Sequence, residues 1–320
     1  MASLRFGTAA ALGLSLSVFG AAGADWPSKS VRVIVPVAAG GTADAVGRTF
    51  AAALSAAFNQ QFFIENRPGG GSIPGVESAA RSEPDGYTLL VSGMSTHVLA
   101  PPITKNAGFD PMRDFTHIAY FGGVPVILVA HPSLNAQSFN EFFALAEKEG
   151  VEYVSPVFGS AGHMVAESLA AKAGLKLRHV AYKGGGAAIL DLVAGQVKAG
   201  FLTLSTTVGH IRSDGLIPLA VTAPRRLPEF PDLPTFKELG YEELVLTSWF
   251  GLSGPANLPK SVVDRLNHEV NTSMTLPEVR SNLDKQSILT KQMTAEEFTD
   301  FVQSEVDKWT RIVKALGQVK

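Results

Sequence analysis

The chain has 320 residues, no cysteine and a formal charge of −2 at pH 7. The lack of cysteine excludes disulfides, iron–sulfur clusters, Cys-zinc sites and a thiol nucleophile. A near-neutral balance without basic runs argues against nucleic acid or an anionic membrane surface as partner.

Residues 1–24 read as a secretory leader. Arg5 supplies the positive start, and residues 6–19 form an apolar stretch too short to span a bilayer. Ala22-Gly23-Ala24 fits the small-residue cleavage rule, so Asp25 is the expected mature start, with no cysteine there to carry a lipid anchor. No later segment is long and apolar enough to cross a membrane. The remaining length suffices for two domains.

The next stretch, VRVIVPVAAGGTAD at 31–44, organises the rest. Val31, Val33, Ile34 and Val35 predict a buried parallel strand. Pro36 ends the ladder because it has no N–H to donate. Gly40 and Gly41 allow a sharp turn, and Thr42 is the expected N-cap of a helix marked by Val46, Phe50, Leu54 and Phe58. A helix start presents free N–H groups and partial positive charge, so the unit can hold an anion. It fits neither a Walker loop nor a Rossmann fingerprint. A tight turn that binds nothing is the alternative.

Residues 61–66 predict a second strand ending in Arg67-Pro68 and three glycines. Arg67 either meets an anion or ties down a carboxylate such as Glu65 or Asp85. A third strand at 88–91 runs into Ser92-Gly93-Met94-Ser95-Thr96-His97, whose hydroxyls can meet a ligand or cap the next helix. Residues 124–130, VPVILVA, read as one long apolar strand. Ser138 and Glu141 form a capping box for a helix through Lys148. A second strand–loop–helix unit follows, with its strand at 151–154 and its loop at 155–163. Strands at 178–182, 200–204 and 217–222 come next. The Lys183-Gly184-Gly185-Gly186 loop and Ser205-Thr206-Thr207 sit at helix starts. Residues 247–253 predict a strand. Helices at 260–274 and 277–285 follow, then a last helix capped by Thr294 and Glu297 with Trp309 on its core face.

This is βα repeated twice, with 124–130 and 247–253 as crossings between halves. Loops at strand C-terminal ends are where open α/β sheets bind ligands. Two such halves facing each other make a cleft that closes by a hinge. A serine hydrolase would need G-x-S-x-G, and Val157-Phe158-Gly159-Ser160-Ala161-Gly162 fails it. His97 and His163 could act as bases, but no spacing singles out an orienting acid. His163 and Glu167, four apart, read as a surface pair or cap, because a metal site needs a third ligand.

At this point the motifs VRVIVPVAAGGTAD, FIENRPGGG, EPDGYTLL, MSTH, YVSP with GSAGH, YKGGGAAILDLVAGQV and WFGLSGPA, in that order, resemble the Bug family of periplasmic solute receptors. These are the extracytoplasmic receptors of tripartite tricarboxylate transporters, and the resemblance covers the whole mature chain. It implies an α/β, two-domain periplasmic binding protein of the Venus-flytrap, type II-like kind, with the ligand cleft between domains. We expect one domain from 25–123 plus 250–320 and the other from 124–249. The resemblance further implies a monomeric, non-enzymatic periplasmic receptor without cofactor or metal. It would capture a small carboxylate and deliver it to a permease of one large and one small membrane subunit. Partnership with a sensor kinase, or an exported hydrolase, are the alternative readings. Carried over residue by residue, the ligand site comprises Val37, Ala38, Gly41, Thr42 and Asp44, then Ser95 and Thr96. From the other half it takes Phe158, Gly159, Ser160, Ala161, Gly162 and His163, then Leu202, Ser205 and Thr206. Asp44 is expected to order its loop rather than touch an anion. Phe158, Leu202 and Ala100 stand where relatives often carry polar residues, which predicts an apolar distal pocket suited to an aromatic or aliphatic acid.

Overall fold

The computed structural model describes residues 26–104 and 107–315. The expected leader and its cleavage site lie outside them. In chain order the first lobe builds β1 (Val31–Val35), α1 (Thr42–Phe58), β2 (Phe62–Asn66), α2 (Ile73–Ala80), β3 (Thr88–Gly93), a π-helical turn (Met94–Leu99), α3 (Ala100–Ile103) and β4 (Phe115–Val124). The second lobe follows with β5 (Val126–Ala130), α4 (Phe139–Lys148), β6 (Val151–Ser155), α5 (Ala161–Ala173), β7 (Leu177–Ala181), α6 (Gly185–Val193), β8 (Ala199–Thr203), α7 (Leu204–Arg212) and β9 (Ile217–Val221). The chain then returns as β10 (Ser248–Pro255), α8 (Lys260–Ser273), α9 (Pro277–Lys285) and α10 (Ala295–Ala315).

Two five-stranded sheets result, ordered β2-β1-β3-β10-β4 and β7-β6-β8-β5-β9. In the first, β1 pairs in parallel with β2 and β3, while β10 runs antiparallel between β3 and β4. In the second, β6 is parallel to β7 and β8, and β5 is antiparallel to β8 and β9. This is the two-domain α/β binding-protein fold. The long strand expected over 124–130 is broken. Pro125 separates β4 from β5, since it cannot donate to a ladder, and its carbonyl instead accepts the Leu204 N–H at 3.0 Å.

Local signals explain the helix ends. The Ser138 hydroxyl accepts the Glu141 N–H at 3.3 Å, and Glu141 reaches back to the Gln137 N–H rather than to that of Ser138. Thr294 and Glu297 bond reciprocally, at 3.1 and 2.8 Å. The helix α10 starts against β4 but ends beside α5, where Trp309 and Ile312 share a cleft with Ser168 and Ala171. It therefore touches both lobes.

A buried polar cluster underlies the end of β3. His117 Nε2 donates to the Pro111 carbonyl at 3.0 Å, which leaves Nδ1 to accept from the Ser253 hydroxyl at 3.0 Å. Ser253 Oγ lies 2.8 Å from Ser92 Oγ. Burial pushes the His117 pKa down from 6.5 to about 4, and burial together with the nearby His117 pushes His97 well down. A histidine held neutral in the fold binds fewer protons than its unfolded counterpart below pH 6.5. The His117 share of stability, about 3 kcal/mol, should therefore be lost as pH drops from about 6.5 to about 4. Urea midpoints measured from about pH 7.5 to pH 4.5 test this. The decline should be shallower in His117→Asn, and an equally steep decline in both proteins would refute the assignment.

Candidate ligand-binding cleft

The cleft is built where strands of both sheets end. The β1–α1 loop faces the β7–α6 loop, and the Ala38 N–H donates to the Lys183 carbonyl across the gap at 2.9 Å. Thr42 Oγ1 lies 2.7 Å from Thr203 Oγ1 and 2.5 Å from Ser205 Oγ. Thr203 and Thr206 hydroxyls are 3.0 Å apart, and Thr206 also donates to the Thr203 carbonyl. The Ala161 N–H donates to Ser95 Oγ at 3.3 Å. The bonds made by Ala38, Thr42 and Ser95 join the lobes directly, so the cleft is shut.

Between the lobes lies a narrow cavity, about 70 Å³ of it open to the centre of a water-sized sphere. The first lobe lines it with Pro36, Val37, Gly41, Thr42, Ala43, Val91, Ser92, Gly93, Ser95, Thr96, Ser248 and Phe250. The second contributes Pro156, Val157, Gly184, Gly185 and Thr203. Three helix starts, those of α1, α6 and α7, thus meet at one cavity. Their outward N–H groups and dipoles favour a negative charge. No lining residue carries an ionisable side chain.

Of the residues expected at the site, Val37, Gly41, Thr42, Ser95 and Thr96 line the cavity. Ala38, Ser205 and Thr206 lie in the seam between lobes. Thr42 is the first helical residue rather than the cap. Gly41 caps α1 without a side-chain bond, because the Thr42 hydroxyl is turned across the cleft. Asp44 sits behind the loop. Its carboxylate accepts from the Gly40 N–H at 3.1 Å, from Arg48 Nε at 3.0 Å and from Asn66 Nδ2 at 2.9 Å. Burial raises the Asp44 pKa, but the bonds from Arg48, Asn66 and Gly40 outweigh it and hold the carboxyl below its usual value. Arg67 Nε pairs with Glu65 at 2.6 Å, which ties the glycine loop down.

The Phe158–His163 segment leads into α5 and does not line the cavity itself, although the Ala161 N–H reaches Ser95 across the seam. Ser160 is the N-cap and accepts the His163 N–H at 3.2 Å. The Gly159 N–H donates to His163 Nδ1 at 3.1 Å. Gly162 presses against the Phe201 carbonyl. His163 is buried, its ring 4.3 Å from that of His179 and 4.7 Å from that of Phe158, so the expected surface pair with Glu167 is an inward one at 3.8 Å. Leu202 is fully buried in β8 opposite Ile127, and Ala100 is buried in the first lobe. The cavity's apolar lining includes Val91, Pro156, Val157 and Phe250, and none of Phe158, Leu202 and Ala100 is part of it. Sequence reasoning passed over Gly184, Gly185 and Thr203 as site residues, although the glycine loop and the hydroxyl-rich helix start were both visible. Ser248 and Phe250 lie within a strand and gave no signal. Among the described residues no cluster of three or more His, Cys, Asp or Glu could hold a metal ion.

A family model described as the tripartite tricarboxylate transporter family receptor matches residues 46–318. The chain belongs to that receptor family. The receptor is 29% identical to protein BugT of Bordetella pertussis over 295 residues, covering 91% of this chain and 90% of BugT. Among solved structures it resembles the periplasmic binding protein BugD at a TM-score of 0.87 and 29% identity, covering 92% of this chain and 100% of BugD. The adipate complex of R. palustris Rpa4515 matches at a TM-score of 0.87 and 28% identity, covering 92% of this chain and 99% of that one. MatC from Rhodopseudomonas palustris with bound malate matches at a TM-score of 0.86 and 29% identity, covering 90% and 100%. The receptor is accordingly a solute-binding protein of the Bug type and not an enzyme.

Proposed function

We propose that this receptor captures a small carboxylate in the periplasm and hands it, as a monomer, to a transporter of one large and one small membrane subunit. The observation that carries the reading is the meeting of three helix starts from two lobes at one uncharged cavity. Malate and adipate in two similar structures support carboxylates as the class. The walls formed by Val91, Pro156, Val157 and Phe250 favour an aliphatic or aromatic body behind the carboxylate. We take the lobes as 25–123 with 250–320 and as 124–249, with each boundary moved by one or two residues so that Val124 stays with β4 and Ser248 with β10, and with hinges near Pro125 and before β10. A ligand touching both lobes binds the shut form better than the open one and shifts the balance between them. The transporter would recognise the shut surface.

Thermal unfolding tests this reading. Residues 25–320 are unfolded, washed free of carried-over ligand, refolded and screened against carboxylates. A ligand at about a hundredfold over its Kd should stabilise by roughly 2.7 kcal/mol. A shift with an uncharged solute, and none with any carboxylate, would overturn the proposal.

A further inference from the structure

We infer that Asn66, a residue that does not line the cavity, positions the β1–α1 loop for ligand capture by fixing which way the Val37–Ala38 peptide faces. Its effect on affinity rests on the carboxylate reading above, whereas its effect on the peptide does not.

Asn66 ends β2, half-buried and opposite Val35 of β1. Its Oδ1 accepts from Arg48 Nη2 at 3.1 Å. That bond fixes the side-chain amide, so Nδ2 turns toward two acceptors, the Val37 carbonyl at 3.2 Å and Asp44 Oδ1 at 2.9 Å. Nδ2 carries two hydrogens, one for each. Asp44 in turn accepts from the Gly40 N–H. Asn66 therefore grips the loop at Val37 directly and at Gly40 through Asp44.

The grip has a direction. A trans peptide is planar, with its carbonyl and N–H on opposite sides. The Val37 carbonyl is drawn back to Asn66, so the Ala38 N–H points forward and donates to the Lys183 carbonyl of the other lobe at 2.9 Å. Turned over, the same peptide would set the Val37 carbonyl against the Lys183 carbonyl. It would also bring an acceptor to the start of α1, where an anion needs donors. An amide suits this place and a carboxylate does not, because a carboxylate presents only lone pairs to the Val37 carbonyl and Asp44. The charges around Asn66 are Asp44 and Arg48 of α1, Arg32 of β1, Glu65 of its own strand and Arg67 just beyond it. Glu65 pairs with Arg32 and Arg67, and Arg48 lies 3.0 Å from Asp44. A second carboxylate would therefore lean on Arg48, which Asp44 already holds.

Hydrogen exchange at the Ala38 amide, read by NMR, tests the inference in the unsubstituted receptor, Asn66→Asp and Asn66→Ala, each first checked for a cooperative thermal melt. At pH 8 the Ala38 protection factor should fall at least about tenfold in Asn66→Asp, and by less in Asn66→Ala. At pH 5 protection in Asn66→Asp should climb back toward that of the unsubstituted receptor, since a proton shared between the introduced carboxyl and Asp44 restores a donor. Asn66→Ala should show no such recovery. Calorimetric affinities for adipate and malate, each compared with the unsubstituted receptor at the same pH, should follow the same order. Unchanged Ala38 protection in Asn66→Asp at pH 8 would overturn the inference. So would an equal loss in both variants that pH leaves untouched, the mark of a side chain that only supports the fold. Protection lost with affinity kept would leave Asn66 holding the peptide but overturn its part in capture. Should the unsubstituted receptor bind neither acid, the failure falls on the carboxylate reading, and the exchange result still decides the peptide assignment.

Discussion

Gly186→Ala is expected to weaken ligand binding by about ten- to hundredfold while leaving the ligand-free protein at least as stable. Gly186 lies in the first turn of α6, where its lobe alone leaves room for a methyl group. In the shut form, however, a Cβ there would stand 2.8 Å from the Ala39 carbonyl oxygen and 3.1 Å from the Gly40 carbonyl carbon. Both are backbone atoms of the opposing lobe, which cannot swing aside as a side chain would. Forcing a methyl into such a seam costs about 1–3 kcal/mol, which is the stated loss of affinity. Within a single lobe the same change replaces a glycine in a helix and stabilises by up to about 1 kcal/mol. Opposite signs for melting temperature and affinity are therefore the signature. An affinity equal to that of the unsubstituted protein would show that ligand binding does not require the seam to close.

Gly162→Ala is expected to do the reverse, wrecking stability first. A Cβ at Gly162 would overlap the Phe201 carbonyl oxygen and fall 2.9 Å from its carbon. Phe201 lies in β8, fully buried and hydrogen-bonded to β5, so the helix α5 would have to lift off the sheet. The cost should reach about 3 kcal/mol or more, a large part of a typical total of roughly 5–15 kcal/mol. The melting temperature should drop by roughly 6–12 °C, or the protein should fail to accumulate in soluble form. An unchanged melting temperature with binding lost would return Gly162 to the ligand site.

These two glycines show what one sequence can and cannot convey. Both stood in loops at strand ends, and that position marked both loops as places where ligands bind. Which backbone each one approached depended on residues far away in the chain. The Thr42 hydroxyl meets Thr203, 161 residues on, and no local pattern encodes that pairing. Strands such as β1 and caps such as Thr294 with Glu297 were legible because their physics is local. The directions of Phe158 and Leu202 were not. Leu202 lies in β8, where each step along the chain turns a side chain to the opposite face, and Phe158 lies in the turn after β6, where no such period applies. Asp44 was read as ordering its loop, since a carboxylate beside a helix start bonds its own backbone readily.

The placement of β10 between β3 and β4 also governs the order of assembly. The second sheet draws all its strands from one continuous stretch, β5 to β9, and can form as soon as that stretch is free. The first sheet is interrupted: β3 and β4 share no edge, and the strand that joins them arrives only with residues 248–255. Until then two apolar strands carry open edges, the kind of surface that pairs with other chains. The pairing of β3 with β10 spans about half the protein, and such long-range contacts form slowly. The lobe that holds the β1–α1 loop is thus the last to be completed, and a chain cut short before residue 248 would keep the second sheet whole while leaving the first without the strand that joins β3 to β4.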